Sequence, residues 1–220
     1  MIKIKDFFKD NKNIFWLFGL VIIGAVYFGS KFLNPEYTYV HIPLDDKIPF
    51  LPVFIIPYVL WYLYVPFLML YVCLKDGNAF KKQAIVMFSG MSFCVLGFII
   101  FPTAINFRPS AEGNGVLLRI CRIVFKYDTP SANVFPSMHC LEALGAHLTT
   151  FTAGPLKKKI SLRIASAVLT VLICLSTVFV KQHSVLDVFS GCLLILAIFI
   201  ITELCFKLRG EKIEFNNKTV

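Results

Sequence analysis

Two short stretches of the chain carry side chains suited to nucleophilic and acid–base chemistry. They are residues 135–139 (FPSMH) and residues 183–187 (HSVLD), and each lies at the edge of a long apolar run. An ionisable side chain at the edge of an apolar span is costly to keep there, so a functional role is the first hypothesis. We expect the two stretches to meet on one side of a bilayer and to act on a phosphate ester of a lipid.

The second stretch contains a histidine and a carboxylate at helical spacing. His183 and Asp187 are four residues apart, so on a helix they share one face. A carboxylate on one imidazole nitrogen fixes the tautomer and leaves the other nitrogen free to attack. The pair therefore suits a nucleophilic histidine that forms a phosphohistidine. The alternative is a hydrogen-bonded pair that only ties the last helix to its neighbours.

The first stretch is typical of a helix start, with Pro136 and Ser137 before the apolar run and Ser137 as a candidate cap. Free N–H groups and the positive dipole end at such a start can hold a phosphate. His139 would then lie close enough to protonate a leaving alkoxide. The alternative is that Ser137 only caps and His139 is an interfacial aromatic. Glu142 is either a partner of His139 or bonded within the bundle, and for His147 we expect a structural hydrogen bond.

An arginine precedes the first stretch along the chain and could bind phosphate. Arg108, followed by Pro109, ends the third apolar run. Its planar fork of N–H donors matches the oxygens of a phosphate. The alternative role is snorkelling to lipid head groups, which any arginine at a membrane boundary can do.

Composition indicates an integral membrane protein. The 220 residues are 57% hydrophobic and 16% charged, and the mean hydropathy is +0.74. A soluble domain is nearer half apolar and a quarter charged, and this length fits a single domain over residues 1–220. The net charge is +9, but the basic residues fall in short gaps between apolar runs, which argues against a nucleic-acid binder. The seven cysteines show no C-x-x-C spacing, so we expect neither a disulfide framework nor a zinc site, and no cofactor.

Six apolar runs predict an all-α, polytopic protein with six transmembrane helices. The first run is too long for a signal-peptide core and is interpreted as an uncleaved span. The fourth run is short, so it must borrow flanking residues or be shielded by its neighbours. The predicted runs cover residues 14–33, 50–74, 84–105, 138–153, 160–180 and 184–206.

The distribution of basic residues predicts an orientation. With six spans and the N-terminus inside, the inner segments hold 15 of the 22 lysines and arginines and the outer segments hold 7. This bias predicts a multi-pass protein of the plasma membrane with both termini in the cytoplasm, residues 210–220 being a mobile end. It also puts Arg108, residues 136–139 and His183 on the external side, so the active site is expected at the extracytoplasmic face.

Two external loops stand out. Residues 34–49 form either a proline-stiffened connector or a rim that selects a head group. Residues 107–136 are longer than an ordinary connection, and such loops tend to be functional or disordered. Within them, residues 116–125 are predicted to form a short interfacial helix that has three basic side chains on one face, namely Arg119, Arg122 and Lys126.

Taken together, these residues resemble a known set of motifs. Arg108-Pro109, Pro136-Ser137-x-His139 and Ser176-x6-His183-x3-Asp187 are similar to the signature motifs of the type 2 phosphatidic acid phosphatase superfamily, K-x6-R-P, P-S-x-H and S-R-x5-H-x3-D. The motif region covers residues 101–191. The resemblance implies a six-helix membrane fold and metal-independent hydrolysis through a phosphohistidine. It implies that His183 is the nucleophile, Asp187 its orienter and His139 the acid for the leaving group, with phosphate bound by Arg108 and Ser137.

The chain departs from the family pattern at two cations. The first motif's lysine falls at Phe101 and the third motif's arginine at Thr177. Lys181 is a candidate replacement for one of them in binding phosphate. The segment Lys181-Gln182-His183 resembles a divergent branch of the family that includes sphingomyelin and inositol-phosphorylceramide synthases.

Three functions remain open from the sequence. The first is a phosphatase acting on a lipid phosphomonoester or diphosphate, such as phosphatidate, phosphatidylglycerol phosphate or a polyprenyl diphosphate. The second is a transferase that moves a phosphorylated head group between lipids on the same two histidines and aspartate. The third is a non-catalytic carrier or channel whose charged rim admits anionic head groups. In each case the expected partners are a phosphorylated lipid and the surrounding membrane lipids.

Overall fold

The computed structural model describes residues 16–33 and 36–218, with side chains for all of these except Leu17, Leu20 and residues 211–218. Predictions that concern residues 1–15, including the four N-terminal lysines and the start of the first run at Ile14, lie outside the described residues. The same holds for residues 34 and 35 of the loop predicted over residues 34–49 and for the last two residues of the chain.

The described part of the chain is almost entirely helical, which confirms the all-α prediction. A single turn of 3₁₀ helix, Pro52–Phe54, precedes the third α-helix. Two strands of two residues each, β1 (Thr38–Tyr39) and β2 (Thr103–Ala104), pair in parallel. The α-helices are α1 Leu17–Ser30, α2 Pro43–Lys47, α3 Ile55–Lys75, α4 Gly77–Ile100, α5 Val116–Tyr127, α6 Met138–Thr152, α7 Gly154–Lys157, α8 Ile160–Phe179 and α9 Val185–Lys218.

Within the described residues, four helical segments are long and apolar enough to cross a membrane, which identifies the chain as a membrane protein by length and composition. Helix α1 contains a shorter apolar segment, Val21–Ser30. Helix α6 has only 15 residues. The four candidate segments are Pro52–Lys75, Gly77–Ile100, Ile160–Phe179 and Val185–Gly210.

Helix α6 lies among the long helices and is shielded by them. It packs against α3, α4, α8 and α9, and most of its side chains are buried, including Leu141, Ala143 and Ala146 at 0% exposure. This agrees with the expectation that the fourth apolar run is shielded by its neighbours. Because other helices cover α6, its backbone polar groups stay away from lipid even at the ends of a short helix.

Helix α4 begins seven residues before the apolar run that predicted it. The run was expected to start at Ala84, whereas the helix starts at Gly77. Asp76 caps it, since its Oδ1 accepts a 3.0 Å hydrogen bond from the N–H of Ala79. A side-chain cap fixes where the backbone becomes helical, and lysines within the first turns do not prevent this. Hydropathy therefore located the apolar part of the helix but not its beginning.

The two motif stretches lie at the same end of the helical bundle. At this end the N–H of Leu51, before α3, donates to the carbonyl oxygen of Phe179 at the end of α8, at 3.0 Å. At the opposite end the N–H of Gly154, after α6, donates to Asp76 Oδ2 at 2.9 Å. The starts of α6 and α9 lie at the first end, and both therefore bring their histidines there.

Candidate active site

A tight turn between α8 and α9 positions His183. The N–H groups of Gln182 and His183 both donate to the carbonyl oxygen of Thr177, at 2.8 and 3.1 Å. Lys181 adopts φ of 57°, a left-handed conformation that residues other than glycine seldom take. The turn folds His183 back into the protein, where it is 5% exposed. The imidazole is thus held by backbone geometry as well as by its own hydrogen bonds.

The tautomer of His183 follows from its partners. Its Nδ1 lies 3.1 Å from the carbonyl oxygen of Val134 and 3.3 Å from Oδ2 of Asp187. A carbonyl oxygen can only accept, so Nδ1 carries the proton and Nε2 of the neutral ring carries the lone pair. Asp187 is fully buried, and its Oδ2 is also fixed by a 2.8 Å hydrogen bond from the N–H of Ser184. His183 and Asp187 therefore have the geometry of a nucleophile and its orienting carboxylate.

His139 faces the free nitrogen of His183. Its Nδ1 lies 3.3 Å from His183 Nε2, and its ring packs against Trp61 and Tyr58, with centroid distances of 4.3 and 4.9 Å. Its Nε2 is buried and has no hydrogen-bond partner among the described residues. A phosphoryl group placed between the two imidazoles needs a distance of about 3 Å from its reacting atoms to the facing nitrogen of each ring. The rings must therefore separate when such a group enters.

The start of α6 is joined directly to the start of α9. Ser137 caps α6, as predicted, by accepting the N–H of Cys140 at 3.4 Å. Its own N–H donates to the carbonyl oxygen of Asp187 at 3.0 Å. This approach requires glycine at position 191, because a Cβ there would lie 2.4 Å from the carbonyl oxygen of Ser137. Gly191 was not identified from the sequence, since nothing local marks it.

Arg108 is held beside the turn that carries His183. Its Nη2 donates to Asp128 Oδ2 at 2.7 Å and also to the side-chain oxygen of Gln182. Its Nη1 donates to the carbonyl oxygen of Asp128 at 3.2 Å, and the guanidinium lies over the ring of Phe125. The side chain is 9% exposed. Arg108 is thus fixed in the protein and does not reach toward lipid head groups as a snorkelling arginine does.

Asp128 also pairs with a second cation, Lys31. Lys31 Nζ lies 2.5 Å from Asp128 Oδ1, and Lys31 is 4% exposed at the end of α1. Burial raises the pKa of Asp128, but the charges of Lys31 and Arg108 outweigh it and hold the pKa below its usual value. Neither Lys31 nor Asp128 was a candidate from the sequence. Lys31 lies inside the first predicted run, residues 14–33, and no neighbouring residue marks its partner.

Lys181 is hydrogen-bonded to the loop over residues 34–49. Its Nζ donates to the carbonyl oxygen of Asp45 at 2.6 Å and lies over the ring of Phe107. The buried carboxylate of Asp45 accepts the Ser184 hydroxyl at 2.7 Å and the N–H of Val185 at 2.9 Å. Asp45 therefore caps α9, and this loop braces the turn that carries His183. A phosphate contact by Lys181 stays a prediction, because the ammonium is already bonded to this backbone oxygen.

The remaining predicted residues lie around this centre. Glu142 is buried, but no hydrogen bond joins it to His139 in the described part of the chain. His147 Nδ1 lies 2.9 Å from the Ser166 hydroxyl, which confirms its structural hydrogen bond. Phe101 is 73% exposed, and Thr177, which is 0% exposed, donates its hydroxyl to the backbone. Neither of these two positions supplies a cation to the site.

A basic cavity adjoins Arg108 on the side of α5. It has a volume of about 580 Å³ and is lined by Arg108, Arg122 and Lys126 together with Ser110 and Thr129. The helix predicted over residues 116–125 is confirmed as α5. The guanidinium of Arg122 donates to two backbone carbonyls of the preceding loop. The cavity thus gives Arg108 an approach from a positively charged surface.

Among the side chains that the structure describes, which end at residue 210, no group of three or more His, Cys, Asp and Glu is arranged to hold a metal ion. Comparison of the chain with protein-family models, with curated proteins and with solved structures found no match.

Proposed function

We propose that this chain is a membrane lipid phosphatase that hydrolyses a lipid phosphomonoester or diphosphate through a phosphohistidine on His183. The observation that carries the proposal is the pairing of two imidazoles, with the lone pair on His183 Nε2 directed to His139 Nδ1 at 3.3 Å. An oriented nucleophile beside a second acid–base group is what a two-step phosphoryl transfer requires. Membership of the type 2 phosphatidic acid phosphatase superfamily is part of the same proposal.

The reaction has two steps. In the first, the lone pair of His183 Nε2 forms a bond to phosphorus, the bond from phosphorus to the lipid oxygen breaks, and protonated His139 gives its proton to the leaving alkoxide. In the second, neutral His139 takes a proton from water as the water oxygen attacks phosphorus. The P–N bond then breaks, and its electron pair returns to His183. With a phosphomonoester the products are inorganic phosphate and the lipid alcohol, and with a diphosphate they are inorganic phosphate and the lipid monophosphate. The proposal assigns no step to a metal ion.

Other residues have supporting roles in this mechanism. Asp187 keeps the proton on His183 Nδ1 and stabilises the positive charge that develops on the ring in the first step. Arg108 and the N–H groups at the start of α6, next to Ser137, hold the phosphoryl oxygens. Arg108 already presents its guanidinium beside Gln182, the residue before His183.

The proposed membrane arrangement has six spans, adding α1 and α6 to the four long helices. Both termini lie in the cytoplasm of a plasma-membrane protein, and the site lies at the outer face. The positive-inside bias of the lysines and arginines supports this orientation. The bond between Asp76 and Gly154 supports it as well, because it brings the lysine-bearing connections of the opposite end together, with Lys75 next to Asp76 and Lys157 at the end of α7.

A panel of lipid phosphates tests the function. The purified full-length chain in detergent is given phosphatidate, phosphatidylglycerol phosphate and a polyprenyl diphosphate, and released phosphate is measured. We expect release from at least one lipid, its loss in His183→Ala, and its retention in the control His147→Gln, which keeps a side chain able to bond Ser166. A folded protein that releases no phosphate from any of them, or a His183→Ala variant as active as the parent, contradicts the proposal.

A transferase on the same site is the second candidate. The basic cavity beside Arg108 has a volume of about 580 Å³, which is room for the head group of an acceptor alcohol. The same assay separates the two reactions when the substrate carries a labelled phosphoryl group. Label in water as phosphate supports hydrolysis, and label on a second lipid supports transfer. Passage of lipid that persists without turnover in His183→Ala and His139→Ala supports a non-catalytic carrier instead.

A further inference from the structure

A carboxylate lies between two buried cations beside the candidate active site. Asp128 accepts from Lys31 Nζ through Oδ1 at 2.5 Å and from Arg108 Nη2 through Oδ2 at 2.7 Å. The three residues come from separate segments, namely the end of α1, the segment after β2 and the loop after α5. Arg108 also donates to the side-chain oxygen of Gln182, the residue before His183. The cluster therefore adjoins the turn that carries His183.

We propose that Lys31 is a second phosphate-binding cation of this site and that the substrate phosphoryl group displaces the carboxylate of Asp128 from between Lys31 and Arg108. The inference rests on the proposed function and deepens it. It adds to Arg108 a cation that no motif contains. It also assigns to Asp128 the role of an internal anion that holds the two cations in place while the site is empty.

The charge balance of the cluster supports this role. An ammonium with only 4% exposure is costly to bury and needs a compensating anion. One carboxylate neutralises only one of the two cations, so the cluster keeps a net charge of +1 when empty. The two negative charges of a phosphomonoester dianion balance the charges of both cations, whereas the single charge of a phosphodiester balances only one. The site is therefore expected to prefer a phosphomonoester.

The hydrogen bonding of Arg108 points the same way. Its Nε is buried and has no hydrogen-bond partner among the described residues. An unpaired donor on a buried guanidinium is unusual and calls for an explanation. A phosphate has more acceptor oxygens than a carboxylate, and a guanidinium binds it through two parallel N–H bonds. When bound phosphate takes the place of the Asp128 carboxylate, the Nε–H of Arg108 gains an acceptor and its Nη2 keeps one.

The competing explanation is that the cluster is a structural clamp between α1 and the loop after α5. The two explanations differ in the sign of one effect. If Asp128 competes with the ligand, Asp128→Asn removes the competing charge and tightens phosphate binding. If Asp128 only clamps the segments, the same change loosens the site and weakens binding. Lys31→Arg keeps the charge and Lys31→Met removes it at similar length, so this pair isolates the charge of Lys31.

The test measures binding of inorganic phosphate by calorimetry to the purified full-length chain carrying His183→Ala, so that no turnover intervenes. In this background we expect Lys31→Met to weaken phosphate binding at least tenfold, Lys31→Arg to weaken it less than threefold, and Asp128→Asn to tighten it severalfold. We also expect the parent to bind glycerol 3-phosphate more tightly than dimethyl phosphate. Thermal unfolding in detergent identifies variants that do not fold, and Lys31→Gln then replaces Lys31→Met.

The opposite results overturn the inference. One is that the His183→Ala chain itself shows no measurable phosphate binding. The others are equal affinities for the Lys31→Met and Lys31→Arg variants, or weaker binding by a folded Asp128→Asn variant. The outcome is separable from that of the proposed function. Lipid hydrolysis with phosphate binding independent of Lys31 overturns only this inference. Phosphate binding that depends on Lys31 in a chain that hydrolyses no lipid phosphate overturns the phosphatase instead.

Discussion

The N–H of Ser137 donates a 3.0 Å hydrogen bond to the carbonyl oxygen of Asp187. This bond joins the first residue before α6 to the first turn of α9, and these two helices carry the histidine stretches. It sets the distance between the two backbones from which His139 and His183 project. The separation of the imidazoles is therefore fixed by a backbone contact as well as by the side chains themselves.

Gly191 is predicted to be essential for this contact. A Cβ at position 191 would lie 2.4 Å from the carbonyl oxygen of Ser137, and a backbone atom cannot move aside as a flexible side chain can. We expect Gly191→Ala to lower phosphatase activity at least tenfold and to lower the melting temperature. The matched control is Gly97→Ala, because a Cβ at position 97 in α4 meets no heavy atom within 4 Å among the described residues.

The control should be neutral or stabilising by up to about 1 kcal/mol, because alanine favours a helix over glycine. Equal activity and melting temperature for the two glycine variants would show that the close contact between α6 and α9 does not position the histidines.

Asp45 is predicted to stabilise the turn that carries His183. Its carboxylate accepts the Ser184 hydroxyl and the N–H groups of Ile42 and Val185, and it is 1% exposed. Asp45→Ala leaves these buried donors unpaired, at a cost of about 1–3 kcal/mol for a buried group without its partner. The adjacent Asp46 has a side chain 66% exposed and serves as the control. Thermal unfolding should separate Asp45→Ala from Asp46→Ala by several degrees, and indistinguishable curves count against the capping role.

His139 is predicted to act on the leaving group. General acid catalysis contributes about 10²–10⁴-fold, so His139→Ala should lower the rate with an alkyl phosphate by that factor. With p-nitrophenyl phosphate the loss should be much smaller, because nitrophenolate leaves without a proton. The rates of phosphohistidine formation from both substrates, measured before the steady state with wild type as reference, check this, because steady-state rates also include the second step, in which His139 acts as a base. An equal loss with the two substrates would assign His139 to binding or folding.

Asp76 is predicted to make stability depend on acid pH. Hydrogen bonds from the N–H groups of Ala79 and Gly154 hold the pKa of Asp76 below its usual value. A carboxyl group with a lowered folded-state pKa stabilises the protein above the unfolded value of about 3.9, and the effect is lost as the pH falls through the folded value. The melting temperature of wild type should exceed that of Asp76→Asn at pH 6, and the difference should shrink below pH 4. A difference unchanged between pH 6 and pH 3 would exclude this linkage.

The sequence was informative where the chemistry is local. The pairing of His183 with Asp187, the cap at Ser137 and the helix over residues 116–125 each depend on neighbours within a few residues, and the structure contains all three. The pair does not form on one helix face as expected, because His183 lies in the turn before α9, which begins at Val185. The apolar runs located the helices for the same reason. Their period and length are properties of one segment.

Long-range partners were not predictable from the sequence. Lys31 meets Asp128 across 97 positions, and Asp45 meets Ser184 across 139. No local pattern marks these pairs, and Gly191 matters only because the backbone of another helix passes beside it. The start of α4 was missed for a different reason, because hydropathy ignores the Asp76 cap. The site is thus a set of predictable motif residues held by contacts that only the fold reveals.

The central claim is that His183 carries the phosphoryl group during turnover. The direct test is rapid quenching of the full-length chain with a substrate labelled in the phosphoryl group, followed by peptide mapping of the labelled protein. The account predicts label on the peptide that contains His183, formed and lost at rates that match turnover, and absent in His183→Ala. Turnover with no labelled protein, or label on a peptide that lacks His183, would contradict it.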